Sequence, residues 1–234
     1  MLLPGPLRNL LRGSRGETVP AAPSKPGGPG RPGARGGGPI GHPAMRQSRG
    51  LEEFFAYIRD QTGLTILDLG GASQENVSFI TNLGHRLYSE DFLQILGETF
   101  GNEDTVDQSN PGQIEFFLRQ AFDYPEGQFD GVLVWDVLEY LTPALLNAVV
   151  ERLHKIVRPK SYMLAFFHSD DKLEAVPAYT FRIQDVNALL VTQHGMHRPA
   201  QLFNNRSLEK LFCRFESVKF FLTRERLREI IVKV

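Results

Sequence analysis

The sequence predicts an α/β protein built on a doubly wound, mostly parallel sheet that closes with an antiparallel C-terminal hairpin. Three observations point there. Short apolar runs of strand length alternate with segments whose apolar residues recur at helical spacing. One junction, "TILDLGGASQENVSFI" (residues 65–80), passes from strand to helix through a tight glycine-bearing turn, the arrangement that holds nucleotide-like ligands. The last two strand-like runs, "SVKFFLT" and "LREIIVKV", flank only "RER", so they must be antiparallel to each other.

The 234 residues suffice for one domain and a tail. The net charge of -1 conceals an asymmetry: residues 1–50 carry +7 and the remainder -8. Residues 1–47 are Pro/Gly-rich and basic with no periodic apolar face, which predicts a disordered tail whose first 45 residues add no core. Nucleic-acid contact or organelle targeting through this tail is the less favoured reading, because prolines interrupt any amphipathic helix. No apolar run reaches the roughly 18 residues a membrane helix needs, and no secretory signal is read, so the expected setting is cytoplasmic. The single cysteine, Cys213, excludes an intrachain disulfide and is expected to be a buried core thiol.

The domain is expected over residues 48–234. Leu51, Phe54, Phe55 and Ile58 follow i, i+3, i+4, i+7 spacing, a helix that Gly63 ends. "LTILDL" (64–69) reads as a buried parallel strand. Ser73 caps a helix over about 74–83, with Val77, Ile80 and Leu83 inward. "HRLYSED" (85–91) is a strand ending in two acids, and a helix over about 91–99 follows. Beyond an acidic loop (101–113), Ile114, Phe117, Leu118 and Ala121 mark another helix, and "QAFDY" is read as a short strand. "FDGVLVWD" (129–136) is a buried strand. Thr142 and Pro143 begin a helix that stops before Pro159, "SYMLAFFH" (161–168) is a further strand, and "SLEKLFCRF" (207–215) is a helix. Residues 168–205 form an insertion in which 178–195 reads as a β-hairpin turning near "DVN".

From Leu51 to Val234 the sequence resembles the class I S-adenosylmethionine (SAM)-dependent methyltransferases. Asp68, Leu69 and Gly70 match the start of the family's D-x-G-x-G-x-G turn, and Glu90 matches the acid at the end of its second strand, 22 residues after Asp68. The stretch "DYPEGQFDGVLVWDVLEYL" (123–141) resembles the family's D-x-P-x-x-x-x-F-D-x-V-x-x-x-D-V-L-E-H-L. Ala72 and Gln74 stand where the family has its second and third glycines, and Tyr140 replaces a histidine. The resemblance implies a Rossmann-like sheet with methyltransferase architecture and SAM as cofactor. It places Gly70, Gly71 and Ala72 along the methionine portion, Glu90 on the ribose hydroxyls with Asp91 adjoining, Phe122 and Asp123 near the adenine, and Trp135 and Asp136 at the methionine end.

The residues favour that cofactor over a dinucleotide. A pyrophosphate seeks bare amides at a helix N-terminus, where Glu75 would repel it. SAM carries a sulfonium, an ammonium and one carboxylate, so an acidic mouth made of Asp68, Glu90, Asp91, Asp123 and Asp136 favours it. An NAD-dependent oxidoreductase is disfavoured on the same grounds.

Methyl transfer asks the protein to align a nucleophile, exclude water and at times remove a proton. By the resemblance the groups above the cofactor come from residues 168–205, which makes His168, His194 and His197 the candidate catalytic residues. Their spacing matches no helical zinc motif, so no metal is expected. The acceptor is read as a small molecule, since no N-P-P-Y-type motif follows the strand ending at Asp136. The alternative is a catalytically inactive SAM-fold module that works by binding a partner.

Overall fold

The computed structural model describes residues 41–101, 106–170, 173–223 and 227–234. The tail expectation therefore falls largely outside the described residues. A six-stranded sheet organises the domain. Its strands are β2 (Thr65–Asp68), β3 (Arg86–Ser89), β4 (Phe129–Trp135), β5 (Val157–His168), β8 (Ser217–Leu222) and β9 (Leu227–Lys233), in the order β3-β2-β4-β5-β9-β8. Pairing is parallel from β3 through β5, and β9 is antiparallel to both β5 and β8. Only β9 is reversed, as a short final connection requires. This doubly wound sheet, mostly parallel with an antiparallel C-terminal hairpin, is the architecture the sequence implied.

Helices cover both faces. Helices α1 (Arg49–Ile58) and α2 (Gln74–Asn82) lie on one, and α3 (Phe92–Phe100), α4 (Pro111–Ala121), α5 (Pro143–Ile156) and α6 (Asn205–Leu211) on the other. The strands serve both cores by alternation: Val132 and Val134 join the second layer, Leu133 and Trp135 the first. Ser73 caps α2 as the sequence places it, accepting from the Asn76 amide, and Ser48 caps α1 by accepting from the Leu51 amide. Thr142 precedes Pro143 as expected, but its side chain makes no capping bond.

Four local expectations change. "QAFDY" is not a strand: α4 continues through Ala121 and Phe122 closes it, its amide bonding the Leu118 carbonyl. Helix α6 stops at Leu211, and Cys213 beyond it is exposed rather than a core thiol. Strand β5 starts at Val157, directly at the end of α5. Ordered pairing begins four residues before Ser48, in β1 (Ala44–Gln47).

Strand β1 belongs to a second sheet. The insertion folds as a hairpin of β6 (Val176–Asp185) and β7 (Ala188–His197), turning through Val186 and Asn187, and β1 pairs antiparallel with β7 from Ala44 opposite Val191 to Gln47 opposite Ala188. Phe181, Ile183, Leu189 and Val191 of this sheet pack into the same core as α1, Ile80 and Trp135. The hairpin is thereby laid against the end of the main sheet where β4 finishes.

A chain starting at residue 48 loses β1, its ladder to β7 and the Arg46 guanidinium over the Tyr179 ring. Thermal unfolding should show it less stable than a chain starting at residue 41 by roughly 1–3 kcal/mol. Equal midpoints would show that β1 contributes nothing.

Candidate functional site

The turn after β2 is built around one carboxylate. Asp68 is fully buried, and its Oδ1 accepts from the Gly70 amide at 2.9 Å and from Trp135 Nε1 at 2.6 Å, while Oδ2 accepts from Asn76 Nδ2 at 2.9 Å. Burial raises the Asp68 pKa, and these three donors oppose that rise. Asn76 then reaches the hairpin: its Oδ1 accepts from the Ile183 amide at 2.8 Å, and its Nδ2 also lies 3.4 Å from the Phe181 carbonyl. One carboxylate thus joins the turn, α2, β4 and β6.

Trp135 is held in an uncommon conformation. Its φ of 57° lies in the left-handed region, which costs a bulky residue about 1–3 kcal/mol. Its indole stacks on Phe181 at 5.2 Å, meets Phe166 edge-on and donates to Asp68, so the site over-determines the strain. The ring also explains the glycine before it. Gly70 does not have positive φ; Gly71 does, at 81°. A Cβ on Gly70 would instead stand 2.8 Å from Trp135 Cδ1 and 3.2 Å from Asp68 Oδ1.

The structure brings together one half of the expected cofactor residues. Gly70, Ala72, Asp91 and Asp123 are exposed, and Gly71, Glu90 and Tyr124 half-buried. The Gly71 amide donates to the Glu90 carbonyl at 3.0 Å, Gly70 bridges to Asp91, and the Tyr124 hydroxyl donates a short bond to Glu90 Oε1. Desolvation and Glu90 push the Tyr124 pKa up, keeping the phenol a donor. Asp91 is already engaged as the N-cap of α3, through the Gln94 amide. Phe122, expected near the adenine, is instead buried in the core against Phe92 and does not reach this rim. Sequence reasoning missed Asn76 and Tyr124. Tyr124 lies inside the stretch that carried the resemblance, whereas nothing local marks Asn76.

SAM fits these residues unevenly. The Glu90 side, an open acidic rim beside a glycine turn, suits a ribose diol and a cationic ligand. At the methionine side the indole of Trp135 covers Gly70, and Asp68 has its donors already. Those two groups admit a ligand there only after Trp135 moves.

Past Trp135 a second cluster is buried. Glu139, on the 3-10 turn Val137–Tyr140, accepts from the His168 amide at 2.9 Å and from His168 Nδ1 at 2.6 Å. Asp136 precedes that turn, and among the described residues no donor reaches its Oδ2. Burial, and then the nearby Glu139, push Asp136 up to about 7, with His168 opposing. His197 stacks on Tyr140 at 3.9 Å with its Nδ1 3.0 Å from the Tyr140 hydroxyl, and stands 6.4 Å from His168. His194 is half-buried on the same strand as His197, and no bond ties it to this cluster. Among the described residues no group of three or more His, Cys, Asp or Glu is placed to hold a metal ion.

The fold is a doubly wound α/β sheet, mostly parallel and closed by an antiparallel C-terminal hairpin. No protein-family model matches the chain, and no curated protein matches it. Among solved structures, it is similar to a SAM-dependent methyltransferase from Archaeoglobus fulgidus, with 16% identity, a TM-score of 0.48 and coverage of 79% of this chain and 91% of that one. It is also similar to the Burkholderia thailandensis 1,6-didemethyltoxoflavin-N1-methyltransferase bound to S-adenosylhomocysteine (12% identity, TM-score 0.44, 79% and 76% covered). The glycopeptide N-methyltransferase MtfA in complex with SAM is a third (12% identity, TM-score 0.42, 80% and 95% covered).

Two outcomes test the site as built. Gly70→Ala should push the indole off Asp68, destabilise the fold by roughly 1–3 kcal/mol and shift the emission of the chain's only tryptophan toward that of an exposed indole. An unchanged spectrum would mean that the contact is not held in solution. Asp136 offers a pH test. Between 3.8 and about 7 the folded protein keeps a proton that the unfolded chain releases, so this group's contribution weakens as pH rises and levels off above about 7. Asp136→Asn should therefore stabilise the protein by on the order of 2 kcal/mol above pH 7, a gain that shrinks toward the ordinary carboxylate range. Thermal melts across that range read the difference; a pH-independent gap would contradict the assignment.

Proposed function

We propose that this chain binds SAM at the carboxyl ends of β2, β3 and β4 and transfers its methyl group to a small-molecule acceptor in the cytoplasm. The observation that carries this reading is the junction of the 70–72 turn with Glu90. There a half-buried carboxylate, backed by the Tyr124 phenol, stands beside backbone that only small residues leave open. Glu90 would accept from both ribose hydroxyls, with Asp91 adjoining and exposed Asp123 along the adenine side. Gly70, Gly71 and Ala72 would run beside the methionine portion, with Trp135 and Asp136 facing it from β4 once the indole leaves Asp68. SAM brings an already activated methyl group, so the protein's tasks are alignment, exclusion of water and proton removal. His168, His194 and His197 remain the candidates for the last task, His168 foremost because Glu139 fixes its ring. Among the described residues no helix is long and apolar enough to cross a membrane.

The closed state of Trp135 favours a second reading, a SAM-fold module without catalysis. Titration calorimetry with SAM, S-adenosylhomocysteine and NAD separates these, followed by a screen of metabolite mixtures for SAM-dependent labelling. Under the proposal SAM and S-adenosylhomocysteine bind and perturb Trp135 emission, and NAD does not bind. Glu90→Ala should weaken SAM binding by roughly 1.5–3 kcal/mol, the scale of hydrogen bonds to a charged group. Binding of SAM without any labelled acceptor would favour the second reading. Absence of SAM binding would remove both.

A further inference from the structure

The Asp136–Glu139–His168 cluster carries chemistry that the fold does not need. Glu139 is 0% exposed, Asp136 3% and His168 4%. Glu139 takes both its strong bonds from His168, and the Nδ1 bond fixes the imidazole as the tautomer with hydrogen on Nδ1. The ring's other nitrogen, Nε2, is then an acceptor. It is buried, and among the described residues no donor reaches it or Asp136 Oδ2. Glu139 ties the two residues together: its amide donates to the Asp136 carbonyl at 3.4 Å while its carboxylate holds His168. Two unmatched acceptors at this depth each cost about 1–3 kcal/mol unless a bound group or water supplies donors. The site therefore complements a group that brings several donors and positive charge. A hydroxyl supplies one hydrogen and no charge, whereas an ammonium supplies up to three with a charge that offsets the two carboxylates. The surroundings are aromatic: Tyr179 lies nearly parallel to His168 at 6.1 Å with the Arg46 guanidinium over its ring, and Tyr140 stacks on His197.

We propose that this cluster is the acceptor subsite, that it takes a protonated amine, and that Asp136 and His168 bind the ammonium while the Glu139–His168 pair removes its proton. The proposal rests on the methyltransferase reading only for what happens after deprotonation. An N–H bond of the ammonium breaks, and its proton passes to Nε2. The resulting imidazolium stays paired with Glu139, and the nitrogen keeps the electron pair. That pair forms the new N–CH3 bond as the methyl–sulfur bond breaks with its electrons going to sulfur, which ends as a neutral thioether. Glu139 is a positioning residue. Tyr179 and Phe181, alternate residues of β6, cover His168 and Trp135 respectively.

The test uses the full chain and three probes: phenethylamine, its N,N,N-trimethyl derivative, which is cationic without N–H, and 2-phenylethanol, which has one O–H and no charge. Calorimetry, with and without S-adenosylhomocysteine, should give phenethylamine at least about tenfold tighter binding than either other probe. Asp136→Asn and His168→Gln should each remove that preference. Asp136→Asn is expected to be more stable than wild type at neutral pH, so loss of fold cannot mimic the effect. Nitrogen NMR of the imidazoles should move His168 Nε2 toward the protonated position with phenethylamine alone, and Glu139→Gln should abolish that shift while binding persists. No phenethylamine binding, equal affinity for the three probes, or full preference in Asp136→Asn would overturn the proposal. If S-adenosylhomocysteine does not bind but phenethylamine does, the subsite stands and the methyl-transfer reading falls. The reverse result removes the subsite alone.

Discussion

The Asp68 carboxylate is the constraint on which the rest of this structure depends. It is an ionisable group taken wholly out of water, which is tolerable only where several donors converge. Those donors come from separate segments: the Gly70 amide, the Asn76 amide group and the Trp135 indole. Satisfying one group therefore fixes the turn, the start of α2 and the end of β4 relative to one another. Asn76 extends the network to the backbone of β6, so the hairpin's place on the main sheet follows from the same carboxyl group.

The acids at the strand ends diverge because their surroundings differ. Glu90 stays half-exposed beside the turn and Asp91 is used as a cap, while Asp136 is enclosed and carries a strongly raised pKa. A single acidic mouth, as the sequence suggested, thus resolves into an outer rim open to solvent and an inner cluster organised by Glu139 and His168. The rim suits a cation approaching from water. The inner cluster suits a ligand that brings its own donors.

The second sheet divides the two. Residues at every other position of β6 face the core, and they set Tyr179 over His168, Phe181 on Trp135 and Ile183 against Asn76. Arg182, pointing the other way, pairs with Glu75 at 3.5 Å at the start of α2, where both side chains remain solvated and the pair adds little. Closure therefore comes from aromatic packing and the Asn76 bonds. Trp135 bears a left-handed backbone because those contacts hold it.

The sequence by itself determined the doubly wound sheet, the reversal of its C-terminal hairpin, the hairpin within the insertion and most helix starts. These follow from local rules: apolar period, cap chemistry and the geometric limit on short connections. It also marked Gly70, Glu90, Asp136 and His168 as residues of one strand-end region. Only the tertiary structure decided how they are used. That Gly70 yields space to the Trp135 indole and that Phe122 turns into the core against Phe92 depend on partners distant in the chain, whereas "QAFDY" completes a helix through the nearby Leu118 carbonyl. The Glu139–His168 pair is the clearest case. The residues are separated by 29 positions in the chain, and their bond exists because β5 is paired beside β4 and the 3-10 turn bends back over its end. Periodicity assigns a residue to a face, but the match of a donor to an acceptor across strands is fixed by packing and register.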